Sequence, residues 1–198
     1  VKTGPHTVRS VGMAMAMQGS GIGGVDVGSV QLKLNDDGFY TLMIGCSDMG
    51  TGCDTILAQM AADGLGCDMD NIIVRGVDTD QSPYDSGSYA SSTTYVTGGA
   101  VVKACESMRK RICEEAAAIM GLKSGEVDFD GETISENDNP EHSMTLSDLI
   151  TSLEAGNGRI IEVTESHTSP VSPPPFMAGA AEIEVDLETG KITPINYV

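Results

Sequence analysis

Positive charge is scarce in this chain. Its 198 residues hold 11 Lys and Arg against 29 Asp and Glu, for a formal net charge of −18. So acidic a chain repels a phosphate backbone and an anionic bilayer, which excludes nucleic acid and membrane surfaces as partners. Long apolar runs are also missing: none approaches the roughly 20 residues that span a bilayer, and no secretory apolar region opens the chain. The expectation is a soluble, cytoplasmic protein. No CxxC and no Cys/His pair occurs at zinc-site spacing, and five cysteines, at 46, 53, 67, 105 and 113, leave one unpaired in any full disulfide scheme. They are read as reduced thiols. His6, His142 and His167 are scattered among loops with no Cys beside them. The chain opens at Val1 and stops at Val198 inside a strand-like stretch, so a piece of something longer is expected.

What is present is 40% hydrophobic, enough for one ordinary domain or two small packed subdomains. Ser10–Met17, Ser29–Leu34 and Phe39–Ile44 read as strands, the last two joined by the Asn35–Gly38 turn with its Asp-Gly pair. Thr51 or Asp54 is placed to cap a helix through about Leu65, with Ile56, Leu57, Met60 and Ala61 on one face and Gly66 as its stop. Asn71–Val77 follows as a buried strand, completing a βαβ-like unit. The longest helix is expected from about Thr93 to Met120. Its apolar stripe is Val101, Ala104, Cys105, Met108, Ile112, Ala116 and Ile119, and Arg109-Lys110-Arg111 reads as a solvated face.

Beyond Gly121 the pattern suggests a smaller module. Glu126–Phe129 and Glu132–Ile134 flank an Asp-Gly turn, and Ser135–Ser143 reads as a mobile loop. Thr145 and Asp148 have capping-box spacing for a short helix to about Leu153. Arg159–Val163 reads as a strand and Ser166–Pro175 as a loop, before Ala180–Val185 and Lys191–Tyr197 pair across the turn at 186–190. The fold class is therefore α/β (α+β): mixed β-sheets with two main helices at 1–121, and a smaller α+β subdomain at 122–198.

Two formal motifs fail on context. Gly19, Gly21 and Gly24 satisfy GxGxxG, but a strand-like stretch follows where dinucleotide binding needs a helix. Asp78–Asp85 begins like a calcium loop, yet Pro83 stands where the turn glycine belongs and no closing Glu follows, so a turn held by local bonds is expected.

Two other segments remain. Asp48–Thr55 and Ser86–Gly98 each place Gly, Ser and Thr just before an expected helix, where first-turn amides and hydroxyls form donor arrays. Either alone could do no more than cap its helix. Together, flanking one strand and free of Lys and Arg, they point to a shared site for a polar, extended ligand held by neutral donors.

The series Gly12–Ile22, Asp48–Thr55, Ala58-Gln59, Asp78-Thr79 with Pro83, Ser86–Gly98 and Glu182–Gly190 resembles, in order along nearly the whole chain, the molybdenum-binding large domain of the xanthine dehydrogenase and aldehyde oxidase family. Ser88–Tyr95 is similar to the bacterial purine-hydroxylating members. The resemblance implies a fragment of a larger molybdenum-binding domain, holding molybdopterin, in bacterial relatives usually the cytosine dinucleotide. It also implies cofactor contacts from Gly50, Thr51, Gly52, Asp54 and Thr55 on one side and Ser88, Tyr89, Ala90, Ser91, Ser92 and Thr93 on the other. Thr51 stands where many members carry Gln, and Ser92 where many carry Arg. The implied chemistry is hydroxylation of a purine or related heterocycle with oxygen from water. The base glutamate of relatives lies in a Gly-x-Gly-Glu segment that does not occur here, so the chain is expected to be inactive alone, with no catalytic residue and no metal ligand of its own. The implied partners are the remaining parts of the molybdenum domain, plus domains or subunits carrying iron–sulfur clusters and FAD. A noncatalytic scaffold of the same fold, or a family member acting on aldehydes, nicotinate or an aromatic thioester, stays open at this stage.

Overall fold

The structure, a computed structural model, describes residues 1–198, the side chain of Asn157 excepted. Along the chain run β1 (Thr7–Met17), β2 (Val27–Leu34), β3 (Tyr40–Ile44), α1 (Cys53–Leu65), β4 (Ile72–Gly76) and α2 (Thr93–Met120). Then come β5 (Val127–Phe129), β6 (Thr133–Glu136), β7 (Asn139–Thr145), α3 (Leu146–Asn157), β8 (Ile161–Thr168), β9 (Phe176–Asp186) and β10 (Ile192–Tyr197). They form two compact units, Gly21–Ser172 and the terminal segments Val1–Ser20 with Pro173–Val198. The division read from sequence, after Gly121, falls within the first of these, between α2 and the small sheet β5-β6-β7.

The unit Gly21–Ser172 is built on the sheet β4-β3-β2-β8. From Val30 onward β2 alternates buried and half-buried positions, so Val30, Leu32 and Leu34 all enter one core. β2 and β3 form the expected hairpin, and β3, α1 and β4 make a βαβ unit in which β3 and β4 run parallel. β4 lies at the sheet edge and only Ile72 in it is buried, so the strand expected to be buried is half-exposed. At the opposite edge β8 is longer than its sequence suggested. All eight of its residues pair with β2, from Leu34↔Ile161 to Val27↔Thr168, including polar Thr164–Thr168, which look like loop until their partner is known.

α1 and α2 pack against this sheet and against each other. α1 buries Leu57, Ala58, Ala61, Ala62 and Leu65, and ends at Gly66 in a left-handed conformation, where the Gly66 and Cys67 amides both donate to the Ala62 carbonyl. α2 buries Val101, Ala104, Cys105, Met108, Ile112 and Ala116, whereas Ile119 at its end is exposed. Arg109 departs from the solvated reading. Its guanidinium donates to the carbonyls of Leu65 and Phe129 and lies 5.3 Å from the Phe129 ring centroid, tying α2 to the small sheet. Lys110 and Arg111 stay at the surface, paired with Glu114 and Glu115.

β5, β6 and β7 form an antiparallel sheet. The stretch 135–143, expected as a loop, is mostly paired: Ser135 faces Ser143 and Glu136 faces Asn139 across a tight β6–β7 turn. The hairpin is polar and mostly exposed, so it offers no apolar alternation to read. The capping box before α3 is present, with the Asp148 amide donating to Thr145 Oγ1 at 3.1 Å and the Thr145 amide donating to Asp148 Oδ2 at 3.1 Å.

In the terminal unit, β1 pairs antiparallel with β9 along its whole length, from Thr7↔Asp186 to Met17↔Phe176. β10 adds to the other side of β9 with a bulge between Pro194 and Asn196. Among the described residues, no helix is long and apolar enough to cross a membrane.

Candidate functional site

The first donor-rich segment connects β3 to α1. Its organiser is Asp48, whose Oδ1 accepts the Gly50 amide at 2.8 Å and the Gly52 amide at 3.2 Å. These bonds hold the Asp48 carboxyl below the usual aspartate range. Neither Thr51 nor Asp54 caps α1, as their position suggested. The N-cap is Gly52, with no side-chain cap, and both Gly50 and Gly52 have positive φ, 97° and 73°. A short aspartate folding back over the amides that follow it competes directly with an N-cap side chain. A Cβ at either glycine would meet no protein atom within 4 Å, so both glycines serve backbone conformation and the open space above them, not packing. Part of the donor capacity at this helix terminus is thus taken up by the protein's own carboxylate.

The second segment leads into α2 and is cross-bonded at almost every step. Asp85 accepts the Gly87 amide at 2.8 Å through Oδ1 and the Thr97 hydroxyl at 2.8 Å through Oδ2. Ser88 Oγ reaches across to the first segment and donates to the Ser47 carbonyl at 2.8 Å, while Thr93 Oγ1 donates to Ser88 Oγ at 3.2 Å. Tyr89 Oη donates to the buried carboxylate of Asp26, and that bond, with partial burial, raises the phenol above its ordinary pKa. Ala90 and Ser91 have φ of 49° and 57°, two consecutive left-handed residues with a Cβ, at about 1–2 kcal/mol each. Ser92 is buried and its hydroxyl donates inward to the Gly87 carbonyl at 3.2 Å.

α2 can start here because its first turns lie very close to β2. A Cβ on Gly28 would stand 2.5 Å from the Thr97 Cα and 2.7 Å from its amide nitrogen. The Thr93 and Thr94 amides lie in the first turn, where a helix supplies no acceptor of its own.

Between the two segments lies a cleft of about 350 Å³, lined by Thr51, Cys53, Ser88, Tyr89, Ala90, Ser91, Ser92, Thr93 and Thr94. Seven of the residues anticipated from sequence therefore share one wall. Gly50, Gly52, Asp54 and Thr55 lie on the adjoining turn and the start of α1 and do not line it. Cys53 and Thr94 were not anticipated. Nothing in a one-dimensional pattern separates Cys53, a core-facing helix residue, from the thiols around it. Asp26 escaped notice, and Asp48, though it opens the first segment, was given no role, since isolated aspartates in loops carry no periodic signal.

Asp48, Cys53 and Asp54 place one potential ligand atom each within 4.8 Å of one another. Cys53 is poorly prepared for that use: burial first, then the neighbouring Asp54 charge, raises its thiol pKa, and its Sγ donates to Asp54 Oδ1 at 3.6 Å. Asp78 bonds locally, accepting the Asp80 amide at 2.9 Å, in keeping with the turn reading.

The lining is five Ser and Thr residues within 88–94, together with Thr51, Cys53, Ala90 and Tyr89, with first-turn amides at the α2 terminus and no Lys or Arg. Such a set can hydrogen-bond the edges of a polar heterocycle or an anion. Comparison with known proteins leads to the same class. A family model described as molybdopterin cofactor-binding domain matches residues 2–198. The "Probable hypoxanthine oxidase XdhD" of Escherichia coli (strain K12) is 32% identical over 182 residues, 91% of this chain and 19% of that protein. The carbon monoxide dehydrogenase large chain of Afipia carboxidovorans is 25% identical over 82% of this chain and 20% of its own length. The solved CO dehydrogenase from Oligotropha carboxidovorans superimposes with a TM-score of 0.85 at 22% identity, over 97% of this chain and 26% of that one, a likeness of fold. This chain thus spans about a fifth of the curated relatives it matches. The match over residues 2–198 places the chain in the molybdopterin cofactor-binding domain family of the xanthine dehydrogenase and CO dehydrogenase enzymes.

Proposed function

We propose that this chain cradles molybdopterin in a molybdenum hydroxylase acting on a purine or a related heterocycle. The observation that supports the reading most directly is the shared cleft. Thr51 from one segment and Ser88–Thr93 from another, far apart in sequence, face one volume lined by neutral donors. Thr51 and the amides of Thr93 and Thr94 would hold the cofactor's heterocycle edges, and the Tyr89 ring would form a side wall. Gly50 and Gly52 shape the adjoining turn, and Asp54 and Thr55 stand beside it in the first turn of α1. Ser92 acts by bracing the loop, since its hydroxyl points at Gly87 and not into the cleft. When bound, the group supplies the redox centre at which oxygen from water is transferred to carbon. The residues of this chain bind and orient it, and none of its acids takes the role of the base.

The purine assignment rests on the relative named as a hypoxanthine oxidase and on the Ser88–Tyr95 series. The cytosine dinucleotide form, the iron–sulfur clusters and FAD on other domains or subunits, and a cytoplasmic setting belong to the same proposal. With no Lys or Arg in the lining, the charge of a dinucleotide's phosphates must be met by donors elsewhere in the assembly. The test is molybdenum analysis together with pterin fluorescence after oxidation, on natively expressed protein from a host that makes the cofactor. Stoichiometric molybdenum and pterin are expected; folded protein containing neither would overturn the reading.

Two features favour a second reading, a noncatalytic scaffold of the same fold. Asp48 already occupies the Gly50 and Gly52 amides, and Ser92 replaces a charged donor with a hydroxyl that is turned away. That reading predicts folded protein without cofactor in the same measurement.

A further inference from the structure

The loop that forms most of the cleft wall is held in an unfavourable backbone conformation, and its own sequence does not explain how. Ala90 and Ser91 both have positive φ, and neither is a residue that adopts it readily. Such a conformation persists only where surrounding contacts over-determine it. Two of the contacts that hold this part of the loop come from one short stretch, Gly21–Asp26. The Gly21 amide donates to the Ala90 carbonyl at 2.8 Å, and Asp26 accepts the Tyr89 hydroxyl through Oδ1.

Asp26 is itself fixed. It is 1% exposed, its Oδ2 accepts the Ile22 amide at 2.7 Å, and its own amide donates to the Ile22 carbonyl at 3.1 Å. Among the described residues it makes no ion pair, so a buried carboxylate depends on one backbone amide and one phenol. Gly21 adjoins the same point: a Cβ there would stand 3.2 Å from Asp26 Oδ2 and 3.4 Å from the Ser92 Cβ. Tyr89 meanwhile lines the cleft. One residue therefore borders the volume and reaches the anchored carboxylate with its hydroxyl.

We propose that Asp26 is a positioning residue for the cleft, acting through Tyr89: their hydrogen bond latches the 86–93 loop in its left-handed conformation and thereby sets the wall against which the cofactor lies. The inference deepens the cofactor-cradling reading of this cleft and rests on it for the identity of what is held. Asp26 touches no ligand itself. It acts by fixing Tyr89, Ala90 and Ser91.

The test uses natively expressed protein with Tyr89→Phe, Asp26→Ala and the double variant, followed by hydrogen–deuterium exchange with molybdenum and pterin content measured on the same samples. Tyr89→Phe keeps the ring and removes only the hydroxyl. Exchange in peptides covering 86–95 should rise by about tenfold in each single variant, and the double variant should add little to Asp26→Ala, because both substitutions break the Asp26–Tyr89 bond; Asp26→Ala also frees the Ile22 amide and so raises exchange over 18–26 further. Peptides covering α1, β2 and β3 should exchange as before, which a general loss of stability would not allow. Pterin retained after purification should fall with loop protection. Unchanged exchange at 86–95 in Tyr89→Phe, an increase spread equally over α1 and the sheet, or additive effects in the double variant would overturn the latch. Wild-type protein without molybdenum or pterin would overturn the cofactor reading alone, and the exchange data would still decide whether Asp26 and Tyr89 hold the loop.

Discussion

The Thr97 hydroxyl donates to Asp85 Oδ2 at 2.8 Å, and the other oxygen of that carboxylate accepts the Gly87 amide at 2.8 Å. One side chain thus joins the second turn of α2 to the loop ahead of it, and the loop cannot shift without breaking both bonds. Thr97 is 1% exposed, so no water replaces a lost partner. Asp85→Ala should destabilise the protein by about 1–3 kcal/mol, and Thr97→Val, which leaves no buried donor behind, by less. Urea denaturation of the two variants checks the order. A larger loss for Thr97→Val would contradict the bonding described.

The approach of α2 to β8 gives a steric prediction. A Cβ at Gly99 would lie 2.9 Å from both Cγ and Nε2 of His167, so the ring must shift to admit it. Gly99→Ala should cost about 1–3 kcal/mol as overpacking, despite alanine's higher helix propensity. Combining it with His167→Ser should recover part of the loss. Thermal melts of the single and double variants provide the comparison.

Asp48 should make stability depend on pH in a defined direction. Its folded-state pKa is lowered by the Gly50 and Gly52 amides, so the folded state binds its proton more weakly than the unfolded state does. The contribution is fully present above the unfolded value of about 4 and is lost as pH falls through the lower folded value. Asp48→Asn should therefore be less stable than wild type at neutral pH, with the gap closing in acid. A gap that widens on acidification would show the sign to be wrong.

The thiols should react in an order set by burial. Burial, with smaller help from nearby groups, pushes both Cys46 and Cys105 up to about 12. Cys67 and Cys113 are raised as well but are only half-buried. Native protein treated with iodoacetamide at mildly alkaline pH should be labelled first at Cys67 and Cys113, and at Cys46 and Cys105 only after unfolding. Peptide mapping reads this directly, and early modification of Cys46 would contradict the packing.

The parts of the fold legible in the sequence were those with a strong local signal. The Asp-Gly turn after Leu34, the stripe from Val101 to Ala116, Gly66 and Gly121 as helix stops, and the Thr145–Asp148 capping box all depend on a few neighbouring residues. Polar Thr164–Thr168 and Ser135–Ser143 were missed as strands because their pairing comes from partners elsewhere in the sheet, and an exposed ladder needs no apolar alternation. Arg109 looked solvated for a similar reason: its acceptors, the carbonyls of Leu65 and Phe129, lie on other elements.

By itself the sequence determined which segments are rich in small donors and where the helices behind them begin and end, because short-range spacing is written along one dimension, and its ordered motifs carried the resemblance to the family. Only the tertiary structure decided that Thr51 and Ser88–Thr93 face one cleft, that Gly50 and Gly52 are tied to Asp48, and that Ser92 turns inward. Those outcomes depend on which distant groups come within hydrogen-bond reach once β2, α1 and α2 pack. A carboxylate such as Asp26 acquires its role only when folding brings a phenol 63 residues away to meet it.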